Sequence, residues 1–310
     1  ERALGLKYNS PNSHFEPAAM DVIKKMLSIP PKLPLSNTQY FSYISALVAY
    51  FLVGLTMTFA PDVWNMFLKM DFGAGGREYF ILVGSGMVVI GLCIVVLARN
   101  EASQVPNAGP LLATVFNRLV IVNGFSIRFY IQGTLNARFS GMISLLDSTL
   151  AIITYIIWAR ENSDASLIKF FQDIWSTISL FSPRPPRYLI FQLLGCVQII
   201  VSLMAPSILL SSGIVPGSIE GRHAGGLFRA YFVIVLVHAL FHVLAAGSQN
   251  DSYPIAAVFY RLICNIPVFL VLGFTAQIPP QLAQILVIYD ITFIVLTIII
   301  FARRSYFKTN

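Results

Sequence analysis

Four charged residues lie deep inside apolar stretches of the sequence: Arg118, Asp147, Arg261 and Asp290. An unpaired Arg or Asp at the centre of a membrane span costs about 2.5–3.5 kcal/mol, whereas an Arg–Asp pair neutralises both charges and satisfies most of their hydrogen-bonding groups. Intramembrane carboxylates can act as a proton or ion relay, and paired ones can hold two helices together. We expect Arg118 to pair with Asp147 and Arg261 to pair with Asp290, and we favour the structural role for both pairs.

Two histidines offer a second kind of chemistry. His238 and His242 are four residues apart in the segment VHALFHV, so they would share one face of a helix. This spacing is typical of metal or haem ligands, which makes them the candidates for cofactor binding. However, the sequence has no second His-bearing span to complete paired axial ligation, and a single metal would need further Cys, Asp or Glu ligands. We expect core histidines, or histidines that face lipid or a partner, and no metal.

Other catalytic and nucleotide-binding motifs are missing from the sequence. It has no nucleophile elbow, no HExxH and no CxxC, and the glycine-containing stretches 73–78 (GAGGRE) and 221–226 (GRHAGG) match neither a Walker A loop nor a dinucleotide fingerprint. The basic residues flank apolar stretches and form no stripe that would follow a nucleic acid. We therefore predict no catalytic residue, no enzyme activity, no nucleotide or nucleic-acid partner, and no cofactor beyond bound phospholipids.

The elements that must position these residues are membrane-spanning helices. The 310-residue chain is 56% hydrophobic and 11% charged, whereas soluble domains carry about 25% charged residues. Because a bilayer core needs about 20 apolar residues per helix, the sequence predicts an all-α, polytopic membrane protein with eight transmembrane helices. They are expected near residues 41–60, 78–98, 111–133, 141–159, 188–212, 227–248, 254–276 and 282–302.

The basic residues predict the orientation. Eight spans put both termini on one side of the membrane, and thirteen Lys and Arg flank the spans on that side against four on the other. The thirteen are Arg2, Lys7, Lys24, Lys25, Lys32, Arg99, Arg160, Lys169, Arg184, Arg187, Arg303, Arg304 and Lys308, and the four are Lys69, Arg77, Arg138 and Arg222. The positive-inside rule places the termini on the cytoplasmic or matrix side. With no secretory signal and a start at Glu1 that would fit a processed transit peptide, we favour the mitochondrial inner membrane over the endoplasmic reticulum or plasma membrane.

An internal repeat organises the chain. Residues 113–160 align with residues 256–303 at a constant offset of 143, which superimposes Arg118 on Arg261, Asp147 on Asp290 and Arg160 on Arg303. Such a coincidence is informative because charged residues are the ones that hydrocarbon tolerates least. Since each half contains an even number of spans, the two halves should have the same orientation, as parallel repeats.

These observations define the expected domains. Residues 1–40 form an N-terminal tail, in which residues 20–34 are a short amphipathic helix followed by a Pro-rich elbow, and residues 41–160 form the first four-helix repeat. Residues 161–187 form an amphipathic linker with a second Pro-rich elbow, which we place in the membrane interface rather than over the ends of the bundle. Residues 188–310 form the second repeat and a basic C-terminal tail.

Each half also resembles a known family in its layout. A first helix is followed by the Pro-containing connector FAPDVWNMFLKMDFGAGG and by the Gly-rich helix REYFILVGSGMVVIGLCIVVLARN. This order resembles the small four-helix membrane proteins of the DoxX-like type. The resemblance implies the fold of each half and no defined activity.

Three functions from different classes are consistent with the sequence. We favour a non-catalytic structural or accessory subunit of a larger membrane protein complex, whose partners are membrane lipids and other integral membrane subunits. The alternative is a secondary transporter or channel that uses the buried Arg–Asp pairs. The third is a redox protein that uses His238 and His242.

Overall fold

A computed structural model describes residues 35–70, 72–99, 109–181, 184–219, 222–250 and 252–302 of the chain. The predicted amphipathic segment 20–34 and the basic residues after 302 lie outside these ranges. The regular structure within the described residues is helical throughout.

Eight helices are long and apolar enough to cross a membrane, which confirms the predicted number and the all-α class. Each of the eight begins two to five residues before its expected position. The described residues also form two shorter α-helices and one 3₁₀ turn, Gly217–Ile219. In chain order the ten helices are α1 (Asn37–Phe59), α2 (Pro61–Leu68), α3 (Gly73–Ala98), α4 (Gly109–Ile131), α5 (Ala137–Glu161), α6 (Leu167–Ile178), α7 (Pro186–Ser211), α8 (His223–Gly247), α9 (Ser252–Phe274) and α10 (Pro280–Ala302).

The start of α1 is held by the end of α5. Ser36 and Gln39 form a capping box, and the carboxylate of Glu161 accepts hydrogen bonds from the backbone N–H groups of Asn37 (2.5 Å) and Thr38 (3.1 Å). These amides have no partner within their own helix, and a carboxylate at a helix N-terminus also opposes the positive end of the helix dipole. This contact fixes α1 and α5 side by side.

The short helix α2 lies in the connector that the sequence marked only as Pro-containing. Pro61 occupies its first turn, where the missing N–H costs nothing, and Lys69 ends it in the left-handed conformation with φ 49°. Val63, Met66 and Phe67 are exposed on one side, while Leu68 is buried. The connector is therefore a helix with an apolar exposed face.

The linker between the halves contains α6, within the segment 164–187. Ser166 caps it by accepting a hydrogen bond from the backbone N–H of Lys169 at 3.1 Å. The face that packs on the bundle contains Phe170 and Ile174, with the Phe170 ring 6.2 Å from that of Trp158. Leu167 and Phe171 are exposed. Apolar residues therefore lie on both the packed and the exposed side of this helix.

Helices α3 and α8 form the centre of the bundle. Within their apolar stretches 89% and 67% of the residues are buried, against 50% or less in the other six spanning helices. The two helices touch at Gly86, where an added Cβ would lie 2.6 Å from Cγ2 of Ile234. Gly84 brings α3 equally close to α1, since its added Cβ would lie 2.9 Å from the backbone nitrogen of Thr58. Small residues allow such close packing in membranes.

Three spanning helices contain a π-helical segment. It covers Ala46–Leu52 in α1, Asn117–Val122 in α4 and Arg261–Asn265 in α9. Wide turns of this kind are rare and occur frequently at functional sites. Two of these three segments contain a buried arginine, Arg118 in α4 and Arg261 in α9. The regular α-helix is therefore interrupted at the positions of these charges.

Candidate functional site

Arg261 and Asp290 form the centre of a buried cluster, which we call the second-half cluster. The Arg261 guanidinium on α9 donates a hydrogen bond to the Asp290 carboxylate on α10, and the two residues are 1% and 2% exposed. The guanidinium carbon also lies 3.9 Å from the ring centroid of Phe293, with the rings of Tyr260 and Tyr289 within 6 Å. Pairing and cation–π contacts together compensate the buried positive charge.

The two histidines belong to this same cluster. The His238 Nε2 atom is hydrogen-bonded to the hydroxyl of Tyr260, and the His242 Nδ1 atom is 2.9 Å from the carbonyl oxygen of His238. The ring of His242 packs on Phe293 with 4.5 Å between centroids. The described residues contain no group of three or more His, Cys, Asp or Glu that could hold a metal ion. In this arrangement the histidines pack against aromatic rings, and His238 Nε2 and His242 Nδ1 meet protein groups, whereas His242 Nε2 is buried without a hydrogen-bond partner among the described residues.

Cys93 of α3 connects the cluster to the first half of the chain. Its Sγ atom accepts a hydrogen bond from the hydroxyl of Tyr253 at 3.2 Å. Both side chains are buried, at 1% and 0% exposure. The central helix α3 therefore contributes a side chain to the polar network around Arg261.

Arg118 and Asp147 form a different arrangement, the first-half cluster. Their closest approach is 4.0 Å, between Arg118 Nε and Asp147 Oδ1. The hydroxyl of Tyr50 lies between them: it accepts a hydrogen bond from Arg118 Nε at 2.9 Å and donates one to Asp147. Arg118 also reaches Thr154 Oγ1 at 3.5 Å. The cluster thus joins α1, α4 and α5.

Sequence reasoning missed Tyr50. Tyrosines of membrane helices concentrate at the two interfaces, where the hydroxyl reaches water. Tyr50 is instead in the middle of α1, within its π-helical segment, and is 7% exposed. A tyrosine in mid-span was the signal available, because its hydroxyl needs a buried partner.

A cavity borders each cluster. The first-half cavity has a volume of about 100 Å³, and Tyr50, Arg118 and Asp147 form part of its wall. The second-half cavity has a volume of about 380 Å³, lies among α7, α8, α9 and α10, and is bordered by Arg261 and Asp290. The charged residues of each cluster therefore border space that could hold a guest.

The arginines closer to the span ends behave differently. Arg77 pairs with Asp62 of α2 at 3.2 Å, and both side chains are substantially exposed. The hydrogen bond from Arg77 holds the pKa of the Asp62 carboxyl below its usual range. Arg128 and Arg229 line a separate cavity of about 260 Å³ between the end of α4 and the start of α8.

Comparison of the chain with protein families, with curated proteins and with solved structures gives no match. The function therefore has to be argued from the geometry of these clusters.

Proposed function

We propose that the protein is a non-catalytic scaffold, an accessory subunit of a larger membrane protein complex. The observation that carries this proposal is the use of the four intramembrane charges. Arg118 and Asp147 join α1, α4 and α5 through Tyr50, and Arg261 and Asp290 join α9 and α10. Charges arranged in this way hold helices together and leave a neutral interior.

We further propose that the fold is two tandem, parallel four-helix repeats, each of DoxX-like layout and each preceded by an amphipathic interfacial helix. The support is that the corresponding residues Arg118 and Arg261 both lie in π-helical segments, and that each faces an Asp on the next helix. Likewise α3 and α8, the second helix of each half, are the two central helices. A duplicated unit explains why the same features occur twice.

The outer helices supply the surface for partners. Helix α5 exposes Leu145, Ile152 and Ile156, and α7 exposes Val197 and Ile200. In a membrane these faces contact lipid or other integral subunits, which are the partners we propose. By the positive-inside rule we place the termini on the matrix side of the mitochondrial inner membrane.

Native electrophoresis tests the scaffold proposal. Membranes that contain the tagged full-length chain are solubilised in digitonin, and the migration of the chain is compared with that of the same chain after denaturation and refolding in detergent. We expect the native sample to migrate as a large assembly with defined co-migrating subunits. Migration of the native sample as a free 34.3 kDa species in its detergent micelle would contradict the proposal.

The cavities favour one alternative function, a transporter or channel. Both buried pairs border open volume, and both arginines lie in wide helical turns. The variant Asp147→Asn separates the two functions. The scaffold role predicts loss of assembly or abundance, whereas a transporter would remain assembled and lose only its flux in reconstituted vesicles.

A further inference from the structure

The second-half cavity has the size of a ligand site. Its volume of about 380 Å³ is within the usual range for small-molecule pockets, about 300–1,000 Å³. Most of its wall is apolar, with Val201, Met204 and Leu286 among the lining residues. A hydrocarbon chain would therefore pack favourably against most of the cavity wall.

The wall of this cavity contains polar groups without partners among the described residues. Gln198 is 2% exposed, and neither its Oε1 nor its Nε2 atom has a hydrogen-bond partner among the described residues. The same holds for Nε and Nη2 of Arg261, which is 1% exposed. Leaving such buried groups unsatisfied is unfavourable. They would be satisfied by a guest that can both donate and accept hydrogen bonds.

The charge of the cavity defines the guest further. Arg261 is neutralised by direct contact with Asp290, so the pair adds no net charge to the wall. A cation or anion that entered would be a buried charge without a counter-ion, which is strongly unfavourable. The guest should therefore be uncharged.

The cavity opens toward the membrane. Ile200 and Ile208 of α7 and Ile285 of α10 line it and are also 57%, 53% and 38% exposed on the apolar outer surface. The opening between α7 and α10 thus faces the hydrocarbon region. A guest from the bilayer can enter sideways without crossing a polar barrier.

We propose that this cavity binds a neutral amphiphile of the bilayer that carries a hydroxyl headgroup. The hydroxyl accepts a hydrogen bond from Arg261 and exchanges hydrogen bonds with the amide of Gln198, and the hydrocarbon body lies between α7 and α10. This inference does not depend on the scaffold role, because a scaffold and a transporter could both use such a site.

Photolabelling tests the site. The full-length protein in phosphatidylcholine nanodiscs is irradiated with an octadecanol analogue that carries a diazirine near the hydroxyl end and an alkyne at the other. We expect saturable labelling of peptides from α7 and α10, with competition by unlabelled octadecanol. A matched probe with a trimethylammonium headgroup should label these peptides about tenfold less.

Gln198→Leu is the decisive variant. It removes a buried amide without partners, so the fold should be as stable as before, while saturable labelling falls about tenfold because the headgroup loses its hydrogen bonds. Gln281→Leu, the same change at an exposed position on α10 away from the cavity, should leave labelling unchanged. Ala205→Phe, which fills the cavity, should abolish labelling in protein that still elutes as a single species.

Three results would overturn the inference. The first is unchanged labelling in Gln198→Leu. The second is equal labelling by the cationic probe. The third is labelling spread evenly over α5, α7 and α10 without saturation, which would mean that the probe contacts only the lipid-facing surface of the protein.

Discussion

The two buried clusters contain the same charges in different surroundings. In the first half, α1 supplies Tyr50, whose hydroxyl lies between Arg118 and Asp147 and separates their closest atoms to 4.0 Å. In the second half, Arg261 touches Asp290 directly, and α7 contributes Gln198 to the cavity wall without a hydrogen bond to the pair among the described side chains.

The difference shows how one bridging side chain changes a duplicated site. Tyr50 fills volume and ties a third helix to the pair, and the adjacent cavity is about 100 Å³. Without such a bridge, the second half has a cavity of about 380 Å³, and its pair is supported by aromatic rings instead. The first-half cluster thus joins three helices through Tyr50, and the second-half cluster borders the larger cavity.

Breaking the second-half pair should have the largest effect. Asp290→Leu leaves Arg261 as a lone buried cation, and we expect the free energy of unfolding to fall by about 3 kcal/mol. Denaturant unfolding of the purified protein in detergent measures this loss. Asp164→Leu removes an acidic residue whose side chain is 69% exposed and is the control. Equal stability of both variants would show that the pair has no structural importance.

The closest contacts between helices also differ between the two halves, and their loss should have the second-largest effect. A Cβ at Gly84 would lie 2.9 Å from the backbone nitrogen of Thr58, whereas a Cβ at Gly195 would lie 3.0–3.1 Å from atoms of Val243 and His242. We expect Gly84→Ala to cost about 1–3 kcal/mol of unfolding free energy and Gly195→Ala to cost less. Thermal unfolding measures both. Gly124→Ala, where no atom lies within 4 Å of the new methyl group, is the control. A larger loss in Gly195→Ala than in Gly84→Ala would refute the conclusion that α1 packs closer to α3 than α8 packs to α7.

The bridge itself can be removed. Tyr50→Phe deletes the hydroxyl between Arg118 and Asp147 and should cost about 0.6 kcal/mol, the average for hydrogen bonds between membrane helices, and at most about 1.7 kcal/mol. The comparison is Tyr289→Phe in the second half, because the Tyr289 hydroxyl has no hydrogen-bond partner among the described residues and therefore forms no bridge. Unfolding curves of the two variants that coincide would contradict the proposed difference between the clusters.

The exposed pair of Arg77 and Asp62 should have the smallest effect. Its hydrogen bond lowers the pKa of the Asp62 carboxyl, so its contribution to stability is present above the ordinary Asp pKa of about 3.9. The contribution is lost as the pH falls through the lowered pKa, and salt screens it at any pH. The difference in melting temperature between the wild type and Asp62→Asn should be small at pH 7 and absent at low pH. A difference that grows on acidification would refute this sign.

The sequence predicted the elements that hydrophobicity controls. Eight apolar stretches give eight spanning helices, and the rarity of charge in those stretches singles out Arg118, Asp147, Arg261 and Asp290. Each Arg precedes its Asp on the next antiparallel helix at similar depth, and the structure places the members of each pair next to each other. Composition and spacing are sufficient here because burying a lone charge is so unfavourable.

The neighbours of the pairs could not be predicted in this way. The side chain of Tyr50 points at Asp147 from a π-helical segment, and such a segment rotates the following residues by about 100° per inserted residue. The periodicity of a regular helix therefore does not give their direction. The cavities depend on how four or five helices pack, and short helices such as α2 depend on local proline and capping geometry.

The stability of the double variant Arg261→Met/Asp290→Leu tests the central claim most directly. If the charges serve to pair with each other, each single variant loses about 3 kcal/mol of unfolding free energy, and the double variant, which buries no charge, regains most of that loss. The double variant should also enter the native assembly at the wild-type level. Losses that add in the double variant, or a stable double variant that no longer assembles, would contradict the account.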